Sequence, residues 1–560
     1  MLRSILSCSL VLASIGTGPA GVWHVSQHPL THVPPKQQVR TLQKAANAVV
    51  AGDKVIIHSG VYREAVIAEK SGTAARPIQF EAAAGVNVVI TGLDRLRDWR
   101  KENANVYSTN WSYRFIPSSK TDAHPDDEYH RLIGRAEQVL INTQPLQQKL
   151  ERDQLSPGDF YVDLANKRLY ICPLRGDDPR SKRVQVEAAT RSTLLDCKGA
   201  YVTLRGITFQ YAANPAQHGA VLFKGRGDMA EYCTFERTNG PGASFGGSDQ
   251  IAQHCTFADN GQVGFAANHA DNLLITSCTI RNNNTKGFNR QWEAGGDKIV
   301  LSRNVILEKS RFLSNRGSGI WFDIGNENCE VRNCLIADNE DAGIFYEISY
   351  GLLAHDNVIV GNGFARDPSA WGGQAGISLS SSPNCLIERN LLVGNREGFN
   401  FREQSRTAPR IDHPDAKKEE AIWNHDEGIC NNVIAYNRDA QTRGWFDVTD
   451  ERHWPRRMHS ASSGDSMSLE ALHFTMQQNV YAREDNQPLF IWGTEWRRHL
   501  NYSTISEIQG ELDLEHESQL LPLKFRALTD RDLRLLPESP VFQMDCYPRG
   551  RVPGVKLTQH

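Results

Sequence analysis

The chain has 560 residues, with 62 Lys+Arg against 65 Asp+Glu and a net charge of −3, so no excess positive charge marks a nucleic-acid partner. Hydrophobic residues at 40% and charged residues at 23% are ordinary globular values, and no segment beyond the N-terminus approaches 18 consecutive apolar residues. Disorder and a membrane-spanning body are thereby excluded, while the length alone suggests three or four domains.

Met1–Ala20 carries Arg3, an apolar stretch from Ile5 to Ile15 and the small residues Gly18, Pro19 and Ala20, the pattern of a cleaved secretory leader. Residues 1–20 are expected to be removed, leaving a soluble protein that is secreted or periplasmic. Residues 21–98 contain an amphipathic helix over Thr41–Val50, then Gly52-Asp53, a strand and a turn, expected to cap a solenoid and begin its first coils. Residues 99–185 hold strand pairs such as EQVLINTQPL and GDFYVDLANKRLYICPL, predicted as a small inserted β-sandwich domain. Residues 186–445 carry a repeat. Residues 446–560 are expected to form the last coils and a C-terminal extension, of which Phe525–Val555 packs along the outside.

The repeat is a small or polar residue, an apolar pair, a polar step and then Asn, often followed by a Gly that opens an apolar run. It recurs at Asn239, Asn260, Asn283, Asn315, Asn339, Asn362, Asn395 and Asn437, at intervals of 21, 23, 32, 24, 23, 33 and 42. One period near 23 with three insertions, short β-branched and aromatic runs and no helical periodicity predict an all-β chain folded as a parallel β-helix. The strands opening at Gly319, Gly343, Gly376 and Gly398 set the register. Alternation sends Ile320, Phe322, Ile344, Tyr346, Ile377, Leu379, Phe399 and Phe401 inward. Trp321, Asp323, Phe345, Glu347, Ser378, Ser380, Asn400 and Arg402 then face outward, because a slip of one residue would bury Asp323.

Ten cysteines follow the leader without a CxxC pair, so no zinc site is expected. Cys233, Cys255 and Cys278, spaced by 22 and 23 residues, fit one buried position of the repeat. Cys329 with Cys334 leaves a disulfide open. No cofactor is expected, with structural calcium left open, and nothing constrains the oligomeric state.

Asp323 and Glu347 share one offset on consecutive rungs, and strands about 4.8 Å apart place their carboxyl groups roughly 5 Å apart. Retaining glycosidases use carboxyl pairs about 5–5.5 Å apart, one as nucleophile and one as general acid/base. Like charges so close push their pKa values apart. A solvated acidic pair or a cation site is the plainer alternative. Trp321 and Phe345 lie on the same face, where exposed aromatic rings favour a stacked ligand. The insertions bring Trp292, Glu293, Trp371, His413 and Trp423 nearby, as loops that build a pocket do. Gln291, Arg402 and Glu403 fall at or next to the same column to hold sugar hydroxyls, with a structural salt ladder as the alternative for Arg402 and Glu403. Three readings follow: a retaining glycosidase, a polysaccharide lyase or epimerase using Arg402, Lys298 or His355, and a non-catalytic carbohydrate-binding protein. In each the partner is carbohydrate.

The run TLQKAANAVVAGDKVIIHSGVYREAV, followed by RPIQFEAAAGVNVVITG, together with GIWFDIGNENCEVRNCLIADNEDAGIFYEISYG, resembles the secreted right-handed β-helix glycosidases of glycoside hydrolase family 120, the β-xylosidase family. The resemblance implies a right-handed helix and an exo-acting β-glycosidase on oligosaccharides from plant or algal polysaccharide, with Asp323 as nucleophile and Glu347 as acid/base. The sequence departs from the family where Ile324 follows the Asp in place of Trp and where Tyr350 stands in place of His.

Overall fold

The computed structural model describes residues 20–549 apart from 104, 116–125, 175–176, 368–372, 405, 412–419, 447–472, 495–497 and 529–531. The leader 1–19 lies outside the described residues.

Most strands are three residues long, and parallel pairing links them into three sheets of 14, 13 and 13 strands, each coil contributing one strand to each sheet. The chain is a right-handed parallel β-helix. Short strands suffice because the turns continue the ladder. Tyr232, His254 and Ser277 occupy one corner with φ of 53, 53 and 54°. Their amides donate to Gln253, Thr276 and Glu308 carbonyls on the next rung at 3.1, 3.1 and 3.2 Å. A non-glycine residue in this left-handed region costs on the order of 1–2 kcal/mol, which the repeated corner hydrogen bonds offset.

The inward residues form one continuous core from Val25 to Leu514 that contains Ile320, Phe322, Ile344, Tyr346, Ile377, Leu379, Phe399 and Phe401, the register expected from alternation. At a second corner the asparagines stack: Asn260, Asn283, Asn315, Asn339, Asn362, Asn395 and Asn437 each pass an amide hydrogen bond to the next at 2.9–3.2 Å. The glycines that follow are required by this ladder. A Cβ on Gly343 would meet the Gly376 carbonyl oxygen at 2.5 Å and Asn362 Nδ2 at 3.1 Å. The first rung differs from expectation by one residue. Thr238, not Asn239, occupies the ladder and donates to Asn260 Oδ1 at 2.8 Å, while Asn239 accepts from Lys286 at 2.6 Å.

The cysteine column is real and changes character along the helix. Cys255 N donates to Cys278 Sγ at 3.3 Å, Cys278 N to Ser310 Oγ at 3.0 Å, and Cys334 N to Asn357 Oδ1 at 2.9 Å. The ten described cysteines are all free, Cys329 and Cys334 included.

The helix Leu42–Ala48, N-capped by Thr41, buries Leu42, Ala45 and Ala46 over one end of the core. A second helix, Ile505–Leu512, buries Ile508 and Leu512 at the other end. Its capping box, Thr504 with Glu507, was legible as S/T-x-x-E but not read. Between the first coils and the repeat, a five-stranded and a four-stranded sheet share a core of Trp99, Trp111, Ile141, Phe160, Leu169 and Val186. The four-stranded sheet also uses Leu93–Leu96 and Val186–Ala189. Past Phe474 the three sheets resume. Leu523, Leu533, Leu535 and Val541 then cover an apolar outer face made by Val358, Leu391, Val433 and their neighbours. No described helix is long and apolar enough to cross a membrane.

Candidate active site

Successive strands of one sheet, Gly295–Val300, Ile320–Phe322, Ile344–Glu347, Ala375–Ser380 and Glu397–Glu403, build a floor with two outward columns. Pairing of Ala266 with Lys298, Trp321 with Phe345, and Phe345 with Ser378 gives the first column. The second holds Val300, Asp323, Glu347, Ser380 and Arg402: Phe322 pairs with Tyr346, Glu347 with Ser380, and Ser380 with Arg402. Asp323 and Glu347 thus stand side by side on neighbouring strands, about 5 Å apart by the strand spacing.

A cavity of about 450 Å³ opens over this floor, lined by Asp323, Glu347, Trp321, Phe345, Lys298, Arg406 and residues of the insertions. That volume lies in the roughly 300–1,000 Å³ range of small-molecule sites. Trp321 and Phe345, only 3% and 4% exposed, make the floor with ring centroids 5.5 Å apart. The outward face is therefore covered, not solvated as simple alternation implied.

The two carboxyl groups are held differently. Asp323 accepts from Lys298 Nζ at 3.0 Å and from the Ile324 amide at 2.7 Å, so each of its oxygens is fixed by a donor. Lys298 also donates to the Trp292 carbonyl and sits 4.0 Å over the Trp321 ring. Burial alone would lower the Lys298 ammonium, but the Asp323 and Glu293 charges outweigh it and hold Lys298 above its ordinary value. Glu347 is 5% exposed and accepts from Arg406 Nη1 at 2.9 Å. Its burial, reinforced by the Asp323 charge, pushes its carboxyl up against the opposing pull of Arg406 and Lys298. One carboxylate pinned by an ammonium and a neighbour biased towards its protonated form is the division of labour a glycosidase pair requires.

Glu293 is buried beside them and accepts from Gln217 Nε2 at 2.7 Å. Burial raises its pKa, with Lys298 opposing. Gln217, at φ 62°, is locked by its amide to Gln262 Oε1 at 2.8 Å. Gln291 and Trp292 line the rim, Trp292 being 45% exposed. Arg290 and Asp341 close one wall, with Nη1 to Oδ1 at 3.0 Å. Burial pushes the Asp341 carboxyl to about 7 against the Arg290 charge.

The remaining expected residues that the structure describes are not among the pocket-lining residues. Arg402 follows Ser380 in the carboxylate column, buried and not among the pocket-lining residues. Glu403 accepts from both the backbone and side chain of Asn424 at 2.8 and 2.7 Å. Trp423 packs on His425 at 5.2 Å outside the pocket. Trp371 and His413 fall outside the described residues. Tyr350 donates to the Ala408 carbonyl at 3.2 Å under the hairpin of Arg406–Ala408 and Glu420–Ile422. His355 is on a different sheet, held between Glu330 at 2.9 Å and Asp356 at 2.7 Å, so it cannot serve this pocket as a base. Among the described residues, no group of three or more His, Cys, Asp or Glu is arranged to hold a metal ion.

Sequence reasoning missed Arg406, Arg290, Asp341 and Gln217, and weighed Lys298 only as a lyase base. Arg406 reaches Glu347 across 59 positions, and Arg290 reaches Asp341 across 51, from insertions without periodicity. Lys298 had a signal: Gly296-Asp297-Lys298-Ile299 aligns with Gly319-Ile320-Trp321-Phe322.

The family described as the right-handed beta helix region matches residues 219–392. No curated protein matches the sequence. Among solved structures, the complex of XylC with xylose aligns at TM-score 0.59 and 18% identity over 84% of this chain and 85% of that one. A glycoside hydrolase aligns at TM-score 0.45 and 12% identity over 73% and 97%. A mannuronic acid specific polysaccharide family 6 lyase from human gut microbiota aligns at 0.48 and 12% over 86% and 88%. The XylC alignment supports the fold assigned above.

Proposed function

We propose that the protein is a secreted or periplasmic retaining glycoside hydrolase acting on carbohydrate, with Asp323 as nucleophile and Glu347 as general acid/base. The observation that carries this reading is the pair itself: adjacent rungs set the spacing of a double displacement, and their surroundings separate the two roles. In the first step an Asp323 oxygen attacks the anomeric carbon as the bond to the leaving oxygen breaks, and the Glu347 proton moves to that oxygen. In the second, Glu347 takes a proton from water, the water oxygen attacks the same carbon, and Asp323 is released.

Electrostatics favour this over lyase or epimerase chemistry, which neutralises a uronate carboxylate. Among the described residues, each cation lining the pocket already faces a carboxylate: Lys298 faces Asp323 at 3.0 Å, Arg406 faces Glu347 at 2.9 Å and Arg290 faces Asp341 at 3.0 Å. A neutral sugar suits such a balanced pocket. The likeness to XylC, solved with xylose, makes an aryl β-xyloside the first substrate to try, as does the resemblance to the β-xylosidase family. Glu347→Gln should abolish turnover of ordinary glycosides and keep partial activity on an aryl glycoside with a good leaving group. Unchanged activity on both would remove Glu347 from the acid/base role, and an unsaturated product absorbing in the near ultraviolet would establish a lyase instead.

A further inference from the structure

We propose that Arg290 and Asp341 form a second sugar subsite, for the leaving-group sugar of a neutral glycan. The inference rests on the hydrolase reading above and deepens it.

The strand that carries Glu347 also carries Phe345, and Asp341, three residues before that strand begins, lines the same pocket. A leaving-group sugar whose glycosidic oxygen is held by Glu347 and that runs back along this rung would lie across Phe345, with its far hydroxyls towards Asp341. Strand residues advance about 3.3 Å each, so Gly343 and Glu347 are roughly 13 Å apart, a span that leaves room beyond the ring at the carboxylate pair. Trp321 and Phe345, with centroids 5.5 Å apart, supply a continuous stacking floor across that span.

The chemistry of the far wall suits hydroxyl groups. Arg290 Nη1 lies 3.0 Å from Asp341 Oδ1, the Asp341 side chain is 3% exposed and that of Arg290 is 18% exposed. Ion pairs this buried add little to stability, because desolvation offsets their attraction. Arg290 also donates through Nη2 to the Asp367 carbonyl and faces Glu340 at 3.7 Å, and the N–H groups that remain, beside the Asp341 acceptor, can engage neighbouring hydroxyls of one ring, one as acceptor and one as donor.

The test compares two substrates that share the reacting sugar: 4-nitrophenyl β-xyloside, whose leaving group has no hydroxyl pattern, and xylobiose, or the corresponding pair for whichever sugar the wild type accepts. For Arg290→Met, the ratio of kcat/KM on the disaccharide to that on the aryl glycoside is expected to fall by about 10- to 100-fold, the range for hydrogen bonds to a charged group. Asp341→Asn, which keeps the shape of the wall, should move the ratio in the same direction. An unchanged ratio in both folded variants overturns the subsite while leaving the hydrolase reading intact. If the wild type turns over no glycoside the hydrolase reading fails. Calorimetry of disaccharide binding to wild type and Arg290→Met then decides the subsite alone, with equal affinities refuting it.

Discussion

Lys298→Met removes the one ammonium among the described residues that touches the carboxylate pair. Its side chain is 10% exposed, its Nζ lies 3.0 Å from Asp323, and its charge also holds down the pKa values of Glu347 and Glu293. Removing one partner of a buried ion pair costs about 3–5 kcal/mol, because the other charge is left uncompensated. The variant can lessen that cost only by taking up protons, so the loss must depend on pH. Glu347 and Glu293 already have folded-state pKa values above the unfolded value of 4.5, so the native state binds the extra protons and stability falls as pH rises through that window. Losing Lys298 lifts both groups further and extends the window upward. Urea denaturation at pH 5 and pH 8 should therefore show a larger stability difference between wild type and variant at pH 8, at unchanged m-value. Equal differences at the two pH values, or a cost below about 1 kcal/mol at both, would refute the placement of Lys298 as the counter-charge of the pair.

Three further variants probe other parts of the account. Arg406 pulls the Glu347 pKa down, so Arg406→Met should move the alkaline limb of the kcat/KM profile to higher pH; a downward move contradicts the acid role of Glu347. Asp297 is fully buried behind the floor, accepts the Trp321 amide at 2.9 Å, and burial raises its carboxyl well above its ordinary value. Asp297→Asn keeps an acceptor, and because the raised acid makes wild type lose stability as pH rises above its unfolded value, the variant should gain on wild type from pH 5 to pH 8; parallel stability profiles refute this. Asn339→Ala removes hydrogen bonds to Asn315, Asn362 and the Phe312 carbonyl, each 2.9–3.1 Å, and should cost about 3 kcal/mol or more in denaturant titration, since each orphaned buried group costs about 1–3 kcal/mol.

The fold was legible because a solenoid repeats its reasons. Each coil needs a residue that tolerates the corner, a glycine beside the stacked amide and alternating apolar residues, and eight copies of that pattern outweigh local ambiguity. The register at Gly319 and Gly343 placed Asp323 and Glu347 on neighbouring strands because side-chain direction in a strand has a period of two. The rung before them escaped notice because Asp297 stands where Phe265 and its neighbours put apolar residues. That polar interruption hid the place of Lys298 beside Asp323, and the ladder itself thins there to the pair Ile299 with Phe322 and the isolated bridge Gly295 with Ser318. The walls of the pocket were least legible. Arg290 and Asp341 meet in loops, and Arg406 reaches Glu347 from a two-stranded hairpin inside an insertion; these paths are set by tertiary contacts, and a lone Arg or Asp there carries no periodic signal.

In a double displacement Asp323 becomes covalently attached to the sugar. An activated 2-deoxy-2-fluoro derivative of the glycoside that the wild type hydrolyses would trap that intermediate, and peptide mass spectrometry would locate it. The account predicts one glycosyl group per chain, on Asp323, with no label in Asp323→Ala. Label on Glu347 or Glu293, or hydrolysis with inversion and no trapped enzyme, would contradict it.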